Sequence, residues 1–153
     1  MMRRPLTLDD ISRRPEPGMD APGSVTFAPG GRSITYLFSP TGSLVRSLWR
    51  HDLVSGERTE IASPLPETTS EDTLSRAEHL QRERTGAIEL GVTSFSWAGS
   101  AQDPTLLVPM SGRLFVASGR DVGRGLVEIA GAEQASGAAL SPRWRHRLLF
   151  DER

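Results

Sequence analysis

Apolar and polar residues alternate in short runs along most of this chain, a period of two that signals half-buried β-strands. Val25 and Phe27 begin the pattern, and Ile34, Tyr36 and Phe38 continue it. Between these runs Pro29-Gly30-Gly31-Arg32 is a tight-turn signal joining two antiparallel strands. A third strand is predicted over Leu44 to His51, and Ser55-Gly56 turns the chain into a fourth over Glu57 to Ala62. Four short strands joined by hairpins within about forty residues make one meander, the size of a propeller blade.

The pattern then recurs. Thr93 to Ser100 resembles the first strand and its turn, Thr105 to Pro109 the second, and Gly112 to Ala117 the third. After a Gly-rich turn from Gly119 to Gly125, Leu126 to Ile129 reads as the fourth. Ala138 to Pro142 opens another copy, with Arg147 to Phe150 as its second strand. The copies are led by Phe27-Ala28-Pro29-Gly30, Trp97-Ala98-Gly99-Ser100 and Leu140-Ser141-Pro142-Arg143, spaced 70 and then 43 residues apart. The shorter spacing is a plain blade repeat, and the longer one is a blade plus an insertion of roughly 25–30 residues.

The insertion carries the one convincing helix. Ser75-Arg76-Ala77-Glu78 forms a capping box, with Ser75 as N-cap and Glu78 reaching back to it. The helix is predicted over about 76–85, with Gly86 as its C-cap residue. Its few apolar positions, among them Ala77 and Leu80, suit a surface helix rather than a core one. Glu78 and Arg82 are spaced to pair along it.

The predicted organisation is therefore a lead-in over 1–23, a first blade over 24–63, the insertion over 64–90, a second blade over 91–131 and the start of a third over 132–153. In the lead-in, Thr7 and Asp10 resemble a capping box around one helical turn. The fold class expected is mainly β, a partial β-propeller of four-stranded antiparallel blades with one inserted surface helix. The repeat arithmetic gives about two and a half blades, against the four to eight of a closed propeller.

Composition narrows the function classes. The chain has 153 residues, 18 Arg and no Lys, 19 acidic residues and a net charge of −1. That balance argues against a general nucleic-acid binder, which carries a large basic excess. The absence of Cys removes disulfides, thiolate nucleophiles and Cys-ligated metals together. No run approaches the length of a membrane span, and Met1 to Asp10 has no apolar stretch behind its two arginines. A cytoplasmic protein is expected, with no membrane partner.

A search for chemistry finds little. No Ser has the Gly-x-Ser-x-Gly flanking that lifts a hydrolase nucleophile onto a strained turn. His51, His79 and His146 lack the carboxylate or His spacing of a metal site and read as structural or solvated. His51 and Asp52 are neighbours on a strand and point to opposite faces. Gly119-Arg120-Asp121-Val122-Gly123-Arg124-Gly125 has neither the spacing of a phosphate loop nor a helix after it, so it reads as a wide hairpin turn. Arg143-Trp144-Arg145-His146-Arg147 mixes charge with an aromatic, as single-strand binders do, yet it falls at a turn where polar residues are expected. The aromatics Phe27, Tyr36, Phe38, Trp49, Phe95, Trp97, Phe115 and Phe150 lie in predicted strands and read as blade-to-blade packing. Glu78 and Glu83 belong to an alternating Glu/Arg helix surface. No catalytic, cofactor-binding or metal-binding residue is assigned, and no cofactor is expected.

Several of these segments together resemble the N-terminal propeller region of bacterial dipeptidyl peptidase IV-like enzymes, in the prolyl oligopeptidase superfamily. Leu74-Ser75-Arg76-Ala77-Glu78 and Arg82-Glu83-Arg84 are similar to the helix that this family places before a Gly-(Ile/Val)-x-(Ser/Asp)-(Tyr/Phe)-x-Trp strand. Here that strand is Gly91-Val92-Thr93-Ser94-Phe95-Ser96-Trp97. Leu106 to Phe115, Leu6 to Ile11 and Phe27 to Arg32 are similar to further segments of the same region. The resemblance implies a serine exopeptidase that removes N-terminal dipeptides, its propeller admitting only short peptides. The family's nucleophile elbow and its Tyr-Glu-Glu-type segment are both missing from this sequence, so no functional residue is carried across. The expectation is a non-catalytic propeller fragment. Its expected partners are peptides, a separate α/β-hydrolase domain, or further copies meeting at open blade edges. Two alternatives stay open: a stand-alone β-rich binding module, and half of a peptidase completed in trans.

Overall fold

The computed structural model describes residues 7–8, 21–69, 80, 83–84, 89–119, 122, 125–129, 139–140 and 148–149. The chain is mainly β. Strands β1 (Gly23–Phe27), β2 (Ser33–Phe38), β3 (Val45–Asp52) and β4 (Arg58–Ala62) form an antiparallel meander in sequence order. A two-residue strand, β5 (Leu90–Gly91), adds to the same sheet by pairing in parallel with the start of β3. A second meander follows as β6 (Ser96–Gly99), β7 (Pro104–Met110), β8 (Arg113–Ser118) and β9 (Val127–Glu128). Strands β10 (Ala139–Leu140) and β11 (Leu148–Leu149) form a small antiparallel pair, and β10 lies beside β6. Among the described residues the sheets do not close on one another.

Two of the hairpins show a local cause. At the β3–β4 turn the Asp52 carboxylate accepts the backbone N–H groups of Val54 and Ser55 at 2.9 and 3.0 Å. This is an Asx-type cap that fixes the turn. Those two N–H groups, with Arg50 nearby, hold the Asp52 carboxyl below the usual carboxylate range. The sign follows directly: a carboxyl depressed in the folded state stabilises above its unfolded pKa and loses that contribution as acid protonates it. Asp52→Ala is therefore expected to lower the melting temperature at neutral pH. Asp52→Asn, which can still accept both bonds, should retain most of it and flatten the loss between about pH 4 and pH 2. Thermal melts across that range check both.

The β7–β8 hairpin is tighter. Ser111 and Gly112 both take positive φ, 52° and 69°, the geometry of a two-residue type I′ turn. That turn matches the twist of the strands it joins.

The core lies between the two large sheets. Register pairs Leu37 with Leu48 and Tyr36 with Trp49, so the two pairs occupy opposite faces of the first sheet. The Leu37 and Leu48 face meets Leu106, Val108 and Phe115 from the second sheet. Leu48, Leu106 and Val108 are fully buried. Burying each such side chain contributes about 1.5–3 kcal/mol.

The sheets stack in the same phase, with equivalent parts of the two meanders adjacent. A Cβ placed on Gly30, in the β1–β2 turn, would meet the Cβ of Ala101 in the β6–β7 turn at 2.9 Å. The Trp97 indole N–H on β6 donates to the Thr35 hydroxyl on β2 at 2.8 Å. The 70-residue offset maps Val25 onto Phe95, Phe27 onto Trp97 and Thr35 onto Thr105. Thr35 and Thr105 are both buried.

The segment between the meanders differs in part from expectation. Leu80, Glu83 and Arg84 are helical and exposed, as a surface helix requires, while the rest of the predicted helix, including Ser75 and Glu78, lies outside the described residues. A 3-10 turn at Pro66–Thr68 precedes it. Strand β5 was not expected. Its pairing is secured by Leu90 N–H to the Leu44 carbonyl at 2.8 Å and Val92 N–H to the Arg46 carbonyl at 2.9 Å. Gly91 takes φ +78°, and a Cβ there would sit 2.5 Å from the Arg46 carbonyl oxygen. Only glycine lets the two backbones approach this closely.

Candidate functional site

Among the described residues, those that the sequence offers for chemistry do not assemble into one constellation. Among the described residues no three His, Asp or Glu side chains gather as a metal ion needs. His51 lies on β3 beside Asp52, whose carboxylate caps the β3–β4 turn. His79, Glu78 and the cluster Arg143 to Arg147 lie outside the described residues, as does Phe150. Glu83 is exposed on its helical turn. Of the Gly119–Gly125 segment, Gly119 and Gly125 take positive φ and Val122 packs against the core. Those three residues suit a turn.

The aromatic side chains divide into three groups. Phe95, Trp97 and Phe115 pack in or against the core between the sheets. Tyr36, Phe38 and Trp49 cluster on the opposite face of the first sheet, edge to face, with ring centroids 6.2 and 6.4 Å apart. Phe27 departs from expectation, since its ring is 66% exposed. The reason is position: Trp97, its equivalent, has the first sheet in front of it, and no described strand stands in front of Phe27.

The Tyr36 face also carries the least satisfied polar chemistry in the described chain. Trp49 Nε1 and His51 Nδ1 are buried without a hydrogen-bond partner, two residues apart on one strand face. An unsatisfied buried polar atom costs about 1–3 kcal/mol. Neither atom has a nucleophile, carboxylate or charged group hydrogen-bonded to it, so the pair does not amount to an acid–base or ligand-binding device.

Sequence reasoning missed one ionic cluster. The Arg113 guanidinium binds Glu67 at 2.8 Å and Glu128 at 3.4 Å, and stands 5.5 Å over the Phe115 ring. It ties the 3-10 turn to β8 and β9. All three charges are more than a third exposed, so the network serves placement more than stability. Glu67 and Arg113 are 46 residues apart, and no spacing rule connects them.

None of the described helical residues belongs to a helix long and apolar enough to cross a membrane. Neither a scan against models of known protein families nor a search of curated proteins finds a match to this chain.

Proposed function

We propose that this chain is the N-terminal propeller portion of a dipeptidyl peptidase IV-like serine exopeptidase of the cytoplasm. In this reading its role is non-catalytic, limiting access of peptides to an active site carried elsewhere. The observation that supports the reading most is the in-phase stacking of two four-stranded meanders, with Trp97 of one bonded to Thr35 of the other. Successive blades of a propeller bury their faces against one another in this manner. The helix-bearing segment between the two meanders, leading into Gly91 to Trp97, adds the motif likeness on which the family assignment rests.

The chemistry then belongs to an α/β-hydrolase domain. That domain supplies the Ser nucleophile, the His base and the Asp that orients it, and forms the acyl-enzyme. The stacked sheets contribute a rigid wall that admits short, flexible peptides and turns away folded chains.

The coding sequence beyond Arg153, read in every frame and into the neighbouring gene, tests this reading. Further four-strand repeats and a Gly-x-Ser-x-Gly elbow are expected, and their absence from all of it contradicts the assignment. The purified chain should release no measurable anilide from a Gly-Pro-anilide substrate. Release by the chain alone would refute the non-catalytic role.

A further inference from the structure

We infer that Arg46, with the start of β1 at Gly23 and Ser24, forms a binding site for a carboxylate group. The inference rests on these residues and their neighbour Glu89, and stands apart from the peptidase reading.

Arg46 lies near the start of β3 and shares a strand face with Leu48. Register sets Gly23 of β1 opposite Leu37 of β2, and Leu37 opposite Leu48 of β3. The Arg46 side chain crosses β2 along this face and ends at Gly23, where a Cβ would collide with Nη1. Gly23 does not take positive φ, so here the glycine provides clearance rather than a left-handed turn.

The guanidinium is poorly paired for its burial. The Arg46 side chain is 14% exposed, whereas those of Arg50 and Arg113 are 34% and 36% exposed. Its charged neighbour among the described residues is Glu89, whose Oε1 lies 3.6 Å from Nη2, longer than a hydrogen bond. None of the guanidinium N–H groups has a hydrogen-bond acceptor among the described residues. A charge taken this far out of water is costly unless its donors are met.

The backbone beside the guanidinium is open to solvent and strained. Pro22 and Ser24, on either side of Gly23, are exposed. The β1–β2 ladder bulges between Gly23 and Thr26, so Ser24 and Val25 together oppose Tyr36. Ser24 takes φ 51°, a left-handed conformation that costs a non-glycine residue energy, and its carbonyl accepts the Thr26 hydroxyl at 3.3 Å. Bulges and strained residues of this kind concentrate beside functional sites.

The chemistry selects the ligand. A planar guanidinium matches a carboxylate through two parallel N–H···O bonds. Glu89 carries a negative charge on the same guanidinium, so it opposes a phosphate dianion more than a singly charged carboxylate. Glu89 is in this sense a competitor that the ligand must outbid for Arg46.

A titration of the isotope-labelled full chain, followed by NMR at constant ionic strength, tests the site. The probes are acetate, phosphate, alanyl-alanine and the C-terminal amide of alanyl-alanine. Saturable shifts of the Arg46 Nε–H and the Gly23 amide are expected with the dipeptide acid, and at least about tenfold weaker binding with its amide. Acetate binding as tightly as the dipeptide supports a free small acid as the source of the carboxylate. Weaker acetate binding supports a peptide C-terminus. Arg46→Gln should weaken binding at least about tenfold, and Gly23→Ala should weaken it by displacing the guanidinium. Glu89→Gln removes the competitor and should tighten binding about threefold or more, a gain that a purely structural Arg46–Glu89 pair would not give. Because Glu89 is only half-buried, this variant reads the site even where Arg46→Gln disturbs the fold. The inference is overturned by the lack of a saturable shift with either carboxylate, by an amide that binds as well as the acid, or by phosphate binding more tightly than acetate. It is equally overturned by a folded Arg46→Gln chain that keeps its affinity, or a Glu89→Gln chain that binds no more tightly.

Discussion

Leu106→Ala is expected to destabilise the protein by about 2–5 kcal/mol and to loosen both large sheets at once. Leu106 is fully buried on β7, in the cluster that also holds Leu37 and Leu48 from the first sheet. Truncating it removes transfer energy and leaves a cavity that rigid strands on both sides fill poorly. A domain of this size has a total stability of only about 5–15 kcal/mol, so the loss is a large share of it. Hydrogen exchange should show amides of β2 and β3 losing protection along with those of β7. Exposure confined to β7 and β8 would mean that the two meanders fold as separate units.

The second large effect is expected at Trp97. Trp97→Ala removes a large ring packed against the core and the indole donor bonded to Thr35. Because the ring is only partly buried, about 2–4 kcal/mol is expected, at the lower end of the range for aromatic truncation in cores. Trp97→Phe keeps most of the packing and loses the bond, so it should cost about 1–2 kcal/mol. The equivalent change at the first anchor, Phe27→Ala, should cost under about 0.5 kcal/mol in dilute solution, because an exposed ring gives up little on truncation. Equilibrium urea unfolding of the three variants measures the contrast.

That contrast marks what the sequence discloses and what it withholds. The alternation at Ile34, Tyr36 and Phe38 identified β2, and the turn residues placed the hairpins, because both signals are local. Alternation assigns side chains to two faces without saying which face another sheet covers. Phe27 and Trp97 therefore read alike in sequence, although one is exposed and the other packed. Strand β5 was illegible for a different reason. Leu90-Gly91 has no alternating run, and its pairing depends on the backbone clearance that Gly91 provides beside Arg46. The Glu67–Arg113–Glu128 network joins residues far apart in sequence, and no periodicity reports such a meeting. The buried, unpartnered atoms of Trp49 and His51 could not be foreseen, since burial of one face depends on what the whole chain lays over it.

The proposed function depends on the two meanders being neighbouring repeats that stack in phase, and the Thr35–Trp97 bond is the most specific mark of that arrangement. A double-mutant cycle of Thr35→Val and Trp97→Phe, read by urea unfolding, measures the interaction between the sheets directly. A coupling of about 0.5–1.5 kcal/mol is predicted, the net worth of a neutral hydrogen bond. Additive effects, with no coupling beyond experimental error, would contradict the stacking.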